Sequence, residues 1–141
     1  MKRKLASAAI TVLVAALAAG CGGDSAKAED TVSAAISGLS KGDAKKVCSK
    51  LTAAAQKRLL VVLADNPLGY PNIKAATCQE AITKLHASLD KPTRAVLEDG
   101  EVDKAKINGD KATVHVTGAG MTLDLQKISD KWMITGGLFD K

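Results

Sequence analysis

Apolar residues in the first half of the chain recur at the three- and four-residue spacing of an amphipathic helix. A first helix is predicted from one such stripe, formed by Val32, Ala35, Ile36 and Leu39. The Ser-Lys-Gly sequence at 40–42 predicts its end, because glycine favours the left-handed conformation that closes a helix. Asp43 is typical of an N-cap and predicts that a second helix follows at once.

The next apolar stripe continues to Leu63 and predicts one long second helix. Its members are Val47, Leu51, Ala54, Ala55, Leu59, Val62 and Leu63. Residues 65–71 contain two prolines and a glycine, so they are predicted to break this helix. Thr77 and Glu80 have the spacing of a capping box, which predicts a third helix that ends at or before Pro92.

From about residue 94 the hydrophobic period changes to two, which is the period of a half-buried strand. Four strands are predicted, at residues 101–107, 112–117, 121–128 and 132–135. Short segments rich in Gly, Asn, Ser and Asp separate them, as expected for the turns of an antiparallel meander.

Helices followed by strands predict an α+β fold, in which N-terminal helices pack on one face of a curved antiparallel sheet of about four strands. A length of 141 residues favours a single domain. We assign residues 30–141 to it, because the residues ahead of them differ in kind.

The chain opens with three basic residues, followed by an uncharged stretch from 5 to 20 that is too short to span a bilayer comfortably. The stretch ends in Leu-Ala-Ala-Gly directly before Cys21. This segment resembles a bacterial lipoprotein signal, in which a small residue precedes an invariant cysteine. The resemblance implies that residues 1–20 are removed at the Gly20–Cys21 bond and that Cys21 carries the lipid. An ordinary secretory signal and an uncleaved anchor are the alternatives.

A lipid on Cys21 makes the membrane the first expected partner, because several acyl chains give stable attachment. The expected location is the cell envelope, on the outer face of the cytoplasmic membrane or on the periplasmic side. Residues 21–29 are rich in Gly, Ser and Ala and are predicted to form a flexible tether. Eight extended residues reach at most about 26 Å, so the domain is expected close to the membrane surface.

Export places the two remaining cysteines in an oxidising compartment, where a disulfide between Cys48 and Cys78 is expected. A redox pair and a metal site are the alternatives. A redox pair usually shows the Cys-x-x-Cys spacing, and a metal site needs more His or Cys nearby in the sequence. Neither pattern occurs in this chain.

Charge and composition argue against several classes of function. The formal net charge is +5, but the leader residues Lys2, Arg3 and Lys4 supply three of these charges. The other basic residues are interleaved with acids, and aromatic residues make up 2% of the chain, so no nucleic acid partner is expected. The GxxxxGK, GxSxG and HExxH motifs are absent, and no cofactor or metal is expected.

The C-terminal meander contains two segments that resemble a known family, GDKATV at 109–114 and LDLQKISDKWMI at 123–134. Together with the cysteine-containing helix that follows Gly42 and Asp43, they are similar to nuclear transport factor 2-like domains, which occur in many bacterial envelope lipoproteins. The resemblance implies a cone-shaped α+β domain with a pocket or a closed core between helices and sheet. Relatives include isomerases, dehydratases and hydrolases as well as binding and assembly modules.

An enzyme of this type needs an acid or base inside the cone. The available groups are Asp124, His115 and His86, and strand alternation or helix position favours a surface location for each. Trp132 and Tyr70 are candidate pocket residues, and packing is the alternative role for both. The sequence therefore favours a non-catalytic module that binds a small ligand or an envelope protein. The alternative is a small lyase or isomerase acting on an unknown small molecule.

Overall fold

A computed structural model describes residues 23–65 and 72–139 of the protein. The structure is α+β, with the helices preceding the strands. The helices are α1 (Gly23–Lys41), α2 (Ala44–Lys50), α3 (Ala53–Asp65), α4 (Cys78–Ser88) and α5 (Lys91–Glu98). The strands are β1 (Glu101–Val102), β2 (Lys106–Asn108), β3 (Lys111–Thr117), β4 (Met121–Ile128) and β5 (Lys131–Gly136).

The sheet is antiparallel, and β3, β4 and β5 pair in sequence order. The short strands β1 and β2 both pair with β3, at opposite ends of that strand. The predicted strand at 101–107 is therefore interrupted. The interruption arises because Ala105 is buried and its amide donates to a carboxylate oxygen of Glu29 on α1 instead of to a strand. The sheet curls around the helices, consistent with the cone-shaped architecture expected from the sequence.

Helix α1 lies at the centre of the molecule, in contact with the other helices α2, α4 and α5 and with the sheet. Its buried side includes the whole stripe that the sequence predicted, and Gly42 follows its end with a positive φ of 73°. Along β3 and β4, alternate residues such as Val114, Leu123 and Leu125 point inward and are almost completely buried. Helices and sheet therefore share one hydrophobic core.

The prediction of one long second helix is wrong, because Leu51 is extended and separates α2 from α3. Leu51 forms a parallel bridge with Ile134 of β5, and the Thr52 amide donates to the Ile134 carbonyl at 3.0 Å. The Thr52 hydroxyl then accepts from the Ala55 amide and begins α3. Pairing with the sheet therefore overrides the helical periodicity of this segment.

The third predicted helix ends before Pro92, as expected, but residues 91–98 form a further helix that the sequence analysis did not predict. Helix α4 ends at Ser88, and Pro92 lies in the first turn of α5. The Asp90 side chain caps this helix by accepting from the Thr93 amide. Proline is compatible with a first turn because its missing N–H has no helical acceptor there. The expected change to strand periodicity near residue 94 is wrong for this reason.

The flexible tether predicted at residues 21–29 is also wrong for its described part. Residues from Gly23 onward belong to α1, and Ala28 is completely buried. The physical reason is that Asp24 pairs with Lys127 of β4, while Ser25 and Glu29 bond to Ala105 between β1 and β2. These contacts hold the first two turns of the helix in place. The predicted leader at 1–20, the bond before Cys21 and the residue Tyr70 lie outside the described residues.

Candidate functional site

The interior between the helices and the sheet is filled with apolar side chains. Among the described residues, Thr31 and Ser40 are the buried polar side chains. The Thr31 hydroxyl donates to the Lys27 and Trp132 carbonyls, and the Ser40 hydroxyl donates to the Ser37 carbonyl. Each of these buried hydroxyl groups therefore has a backbone carbonyl as its hydrogen-bond acceptor. Within this part of the chain no carboxylate or imidazole is buried in the cone, where an acid or base would have to act.

A small cavity of about 20 Å³ lies beside the last strand, between α3 and the C-terminal segment. Leu59, Ile134 and Phe139 are among its lining residues. A cavity of this volume holds about one water molecule. It is far below the roughly 300 Å³ that a pocket for a small organic ligand usually offers.

Asp124 and His115 lie on the outer face of the sheet, as strand alternation predicted, and both are exposed. Their side chains bond across strands to threonines. The Thr113 hydroxyl donates to Asp124 at 3.3 Å, and His115 Nδ1 lies 3.0 Å from the Thr122 hydroxyl. These pairs stabilise neighbouring strands and leave each acid or base open to water.

His86 is half-buried rather than on the open helix surface. Its Nε2 lies 3.1 Å from the Ser40 carbonyl oxygen, at the C-terminal end of α1. Its ring also packs against Gly42, where an added Cβ would lie 2.8 Å from Nδ1. The imidazole therefore bonds to a carbonyl group at the end of α1, a long-range contact that no local sequence pattern predicts.

Trp132 lies in the core, with 3% of its surface exposed. Within the described residues its indole N–H has no hydrogen-bond partner. The pKa of the nearby Asp24 is lowered mainly by its hydrogen bond to Lys127 and to a smaller extent by the Trp132 indole. Trp132 thus packs behind the first turn of α1.

Cys48 and Cys78 form the disulfide that was predicted from the sequence, with an S–S distance of 1.97 Å. Cys48 lies in α2 and Cys78 begins α4, so the bond joins two helices through cysteines that are 30 positions apart in the sequence. The bond borders an open surface groove of about 560 Å³, which is lined by polar side chains such as Lys45, Gln56 and Gln79. Both cysteines are themselves nearly buried.

The first turn of α1 is fixed to the end of β4 by an ion pair. Lys127 Nζ lies 2.9 Å from one carboxylate oxygen of Asp24 and 3.1 Å from the other. This hydrogen bond lowers the pKa of Asp24 and raises the pKa of Lys127. The ion pair was not predicted from the sequence because the two residues are 103 positions apart.

One turn later, Glu29 makes a second attachment. Its carboxylate accepts from the Ser25 hydroxyl at 2.6 Å and from the Ala105 amide at 2.9 Å, and these bonds lower its pKa. Asp24 and Glu29 together hold the start of α1 against β4 and the segment between β1 and β2. The segment that would follow a lipid anchor is therefore a fixed part of the domain.

No group of three or more His, Cys, Asp or Glu side chains is placed to hold a metal ion in residues 23–65 and 72–139. Every helix in these ranges is too short or too polar to cross a membrane. The chain matches no protein-family profile, no curated protein sequence and no solved structure.

Proposed function

We propose that this protein is a lipid-anchored lipoprotein of the cell envelope, whose folded domain binds a partner and does not catalyse a reaction. The observation that carries the proposal is the leader, in which three basic residues and an uncharged stretch end in Leu-Ala-Ala-Gly before Cys21. Lipidation of this cysteine would place the acyl chains two residues ahead of α1.

The disulfide supports an exported location, because such bonds persist in oxidising compartments and are rare in the cytosol. The packed interior supports a binding role. Among the described residues, the carboxylates with shifted pKa values are Asp24, Glu29, Glu80 and Asp90. Each of them is explained by an ion pair, a helix cap or a backbone hydrogen bond, and none lies in a cleft where a substrate would be enclosed.

The surface offers open grooves for a partner. One groove of about 250 Å³ runs between α1 and α5 and is lined by Ser33, Ser37, Lys41 and Glu98. Its mixed serines and opposite charges suit a polar protein surface better than an apolar small molecule. A protein of the envelope is therefore the favoured class of partner.

Native mass spectrometry of the protein extracted in mild detergent from its host's envelope tests the proposal. We expect a chain that begins at Cys21 with its acyl groups and lacks two hydrogens because of the disulfide. A Cys21→Ser variant should keep its leader and lose the lipid mass. Additional non-covalent mass would identify the partner. An unprocessed wild-type chain without lipid would contradict the anchor, and turnover of a small molecule by the purified domain would contradict the binding role.

A further inference from the structure

The end of the domain where α1 begins also carries two β-turns. The Lys127 amide donates to the Asp110 carbonyl at 2.7 Å, which places the turn between β2 and β3 beside the end of β4. The Lys127 side chain pairs with Asp24 in the first turn of α1. We call residues 106–111 and 128–131 the tip surface, since they form the two turns at this end.

The tip surface exposes two large apolar side chains. Ile107 is 38% exposed and Ile128 is 45% exposed, and they are two of the four large hydrophobic residues exposed in the described part of the chain. Ile107 is in register with the buried Ala112, whereas Ile128 pairs with the exposed Lys131. The two isoleucines therefore flank the tip from opposite faces of the sheet.

Three lysines belong to the tip surface together with the two isoleucines. Lys106, Lys111 and Lys131 are exposed, and within the described residues none of them forms an ion pair. Asp110 and Asp130 lie in the same turns, so the charge is nearly balanced. A lysine can lay its aliphatic stem along an apolar surface and keep its ammonium group in water. Such a mixture of apolar and basic groups suits the headgroup region of a bilayer.

The short length of chain between Cys21 and α1 indicates that the partner of the tip surface is the membrane. Cys21 precedes Gly23 by two residues, which span at most about 7 Å when extended. The headgroup layer on each side of a bilayer is itself about 5–8 Å thick. Because Asp24 and Glu29 hold the first two turns of α1 in place, the fixed part of the domain begins within two residues of the proposed anchor.

We propose that the tip surface rests on the phospholipid bilayer, with Ile107 and Ile128 entering its headgroup region. This inference rests on the lipid anchor at Cys21 under Proposed function. It fixes the orientation of the domain. The turn at 118–120, at the other end of the sheet, then points away from the membrane together with the C-terminal end of α5. That end is the part of the protein available to a partner.

Nitroxide labels on the mature lipidated protein, which begins at Cys21, test the orientation. A single cysteine replaces Ile107 or Ile128, and it is the free thiol once Cys21 is acylated and Cys48 is paired with Cys78. Val96→Cys is the matched control, because Val96 is 46% exposed on α5. Its carbonyl lies close to Gly100, which in turn contacts Val116 near the far end of β3.

The labelled proteins are reconstituted into vesicles of phosphatidylcholine and phosphatidylglycerol. They are compared with unlipidated chains that begin at Gly22 and carry the same labels, measured in detergent-free buffer. On vesicles, collision with a water-soluble nickel reagent should fall severalfold at Ile107→Cys and Ile128→Cys, while collision with oxygen rises. Val96→Cys should show no change. Equal accessibility at all three positions, or immersion of Val96→Cys alone, would overturn the orientation.

The intact mass of each labelled sample separates the two proposals. A sample that carries the lipid but shows no immersion of the tip surface overturns the orientation and leaves the anchor intact. A sample without lipid overturns the proposed function and, with it, the orientation. The two tip positions are independent, so a folding defect in one variant leaves the other to decide.

Discussion

At the residue scale, Gly137 shows how closely the C-terminal segment is fitted to the sheet. This glycine has a positive φ of 87°, a conformation that side chains strongly disfavour. A Cβ at this position would overlap the Thr122 carbonyl oxygen and lie 2.8 Å from the Leu123 Cα. Both atoms belong to the backbone of β4 and cannot move without disturbing the strand.

Gly137→Ala is therefore expected to lower the free energy of unfolding by at least about 3 kcal/mol, since strain and overlap add. Gly109→Ala is the matched control, because Gly109 also has a positive φ but meets no atom within 4 Å. The control should lose only about 1 kcal/mol, the cost of the left-handed backbone. Urea denaturation of both variants measures the difference. Equal losses would show that the close approach to β4 contributes nothing.

The ion pair between Asp24 and Lys127 predicts a pH dependence of stability. Its hydrogen bond lowers the pKa of Asp24 below the ordinary value of 3.8. The stabilisation is therefore complete above pH 3.8 and is lost as the pH falls through the lowered pKa. Asp24→Asn should be less stable than the wild type at neutral pH, and the difference should shrink on acidification.

Thermal melts between pH 2 and pH 7 measure this effect. Asp30→Asn is the control, because Asp30 is exposed on the same helix and forms no ion pair within the described residues. It should follow the wild type over the whole range. A constant difference between Asp24→Asn and the wild type at every pH would contradict a role for the charge.

Single residues were predictable where a local pattern determined their position. The outward direction of Asp124 and His115 follows from strand alternation, and the cap at Thr77 follows from the capping-box spacing. The role of His86 at the end of α1 and the pairing of Asp24 with Lys127 were not predictable, because they join residues that are distant in the sequence. No local period encodes such contacts.

At the element scale, the helices around residue 51 and residue 92 show the limits of periodicity. Leu51 fits the helical stripe but lies where the chain meets Ile134 of β5, and a strand-like bridge forms instead. Helix α5 has eight residues, which is too short for a clear helical period, and its cap at Asp90 was the better signal. Tertiary pairing and helix length, rather than propensity, explain both differences.

The disulfide belongs to the same scale because it joins α2 to α4. A double variant, Cys48→Ala with Cys78→Ala, is expected to lose about 3–4 kcal/mol of unfolding free energy, because the closed loop no longer restricts the unfolded chain. Urea denaturation of the variant, and of the wild type with and without reductant, measures this loss. The reduced wild type should match the variant. An unchanged midpoint after reduction would contradict the stabilising role.

At the scale of the whole molecule, the order of helices and strands determined the fold class correctly, because the change of period separates two layers. The prediction of a flexible tether was wrong because it rested on composition alone. Gly, Ser and Ala are common in linkers, but Asp24, Ser25 and Glu29 have specific partners in the C-terminal half of the chain. Composition describes the average behaviour of a segment and cannot show what it touches.

The bridge between Leu51 and Ile134 protects one edge of the sheet from pairing with another molecule. Anchored proteins are concentrated in two dimensions, where open sheet edges invite pairing between copies. Here the bridge and the Thr52 amide occupy the middle of β5, and the strands at the opposite edge have only two and three residues. Neighbouring copies thus find no continuous edge on which to extend the sheet. On a membrane where the proposed lipid anchor would concentrate many copies, the break in the predicted helix therefore keeps this edge of the sheet from pairing with another molecule.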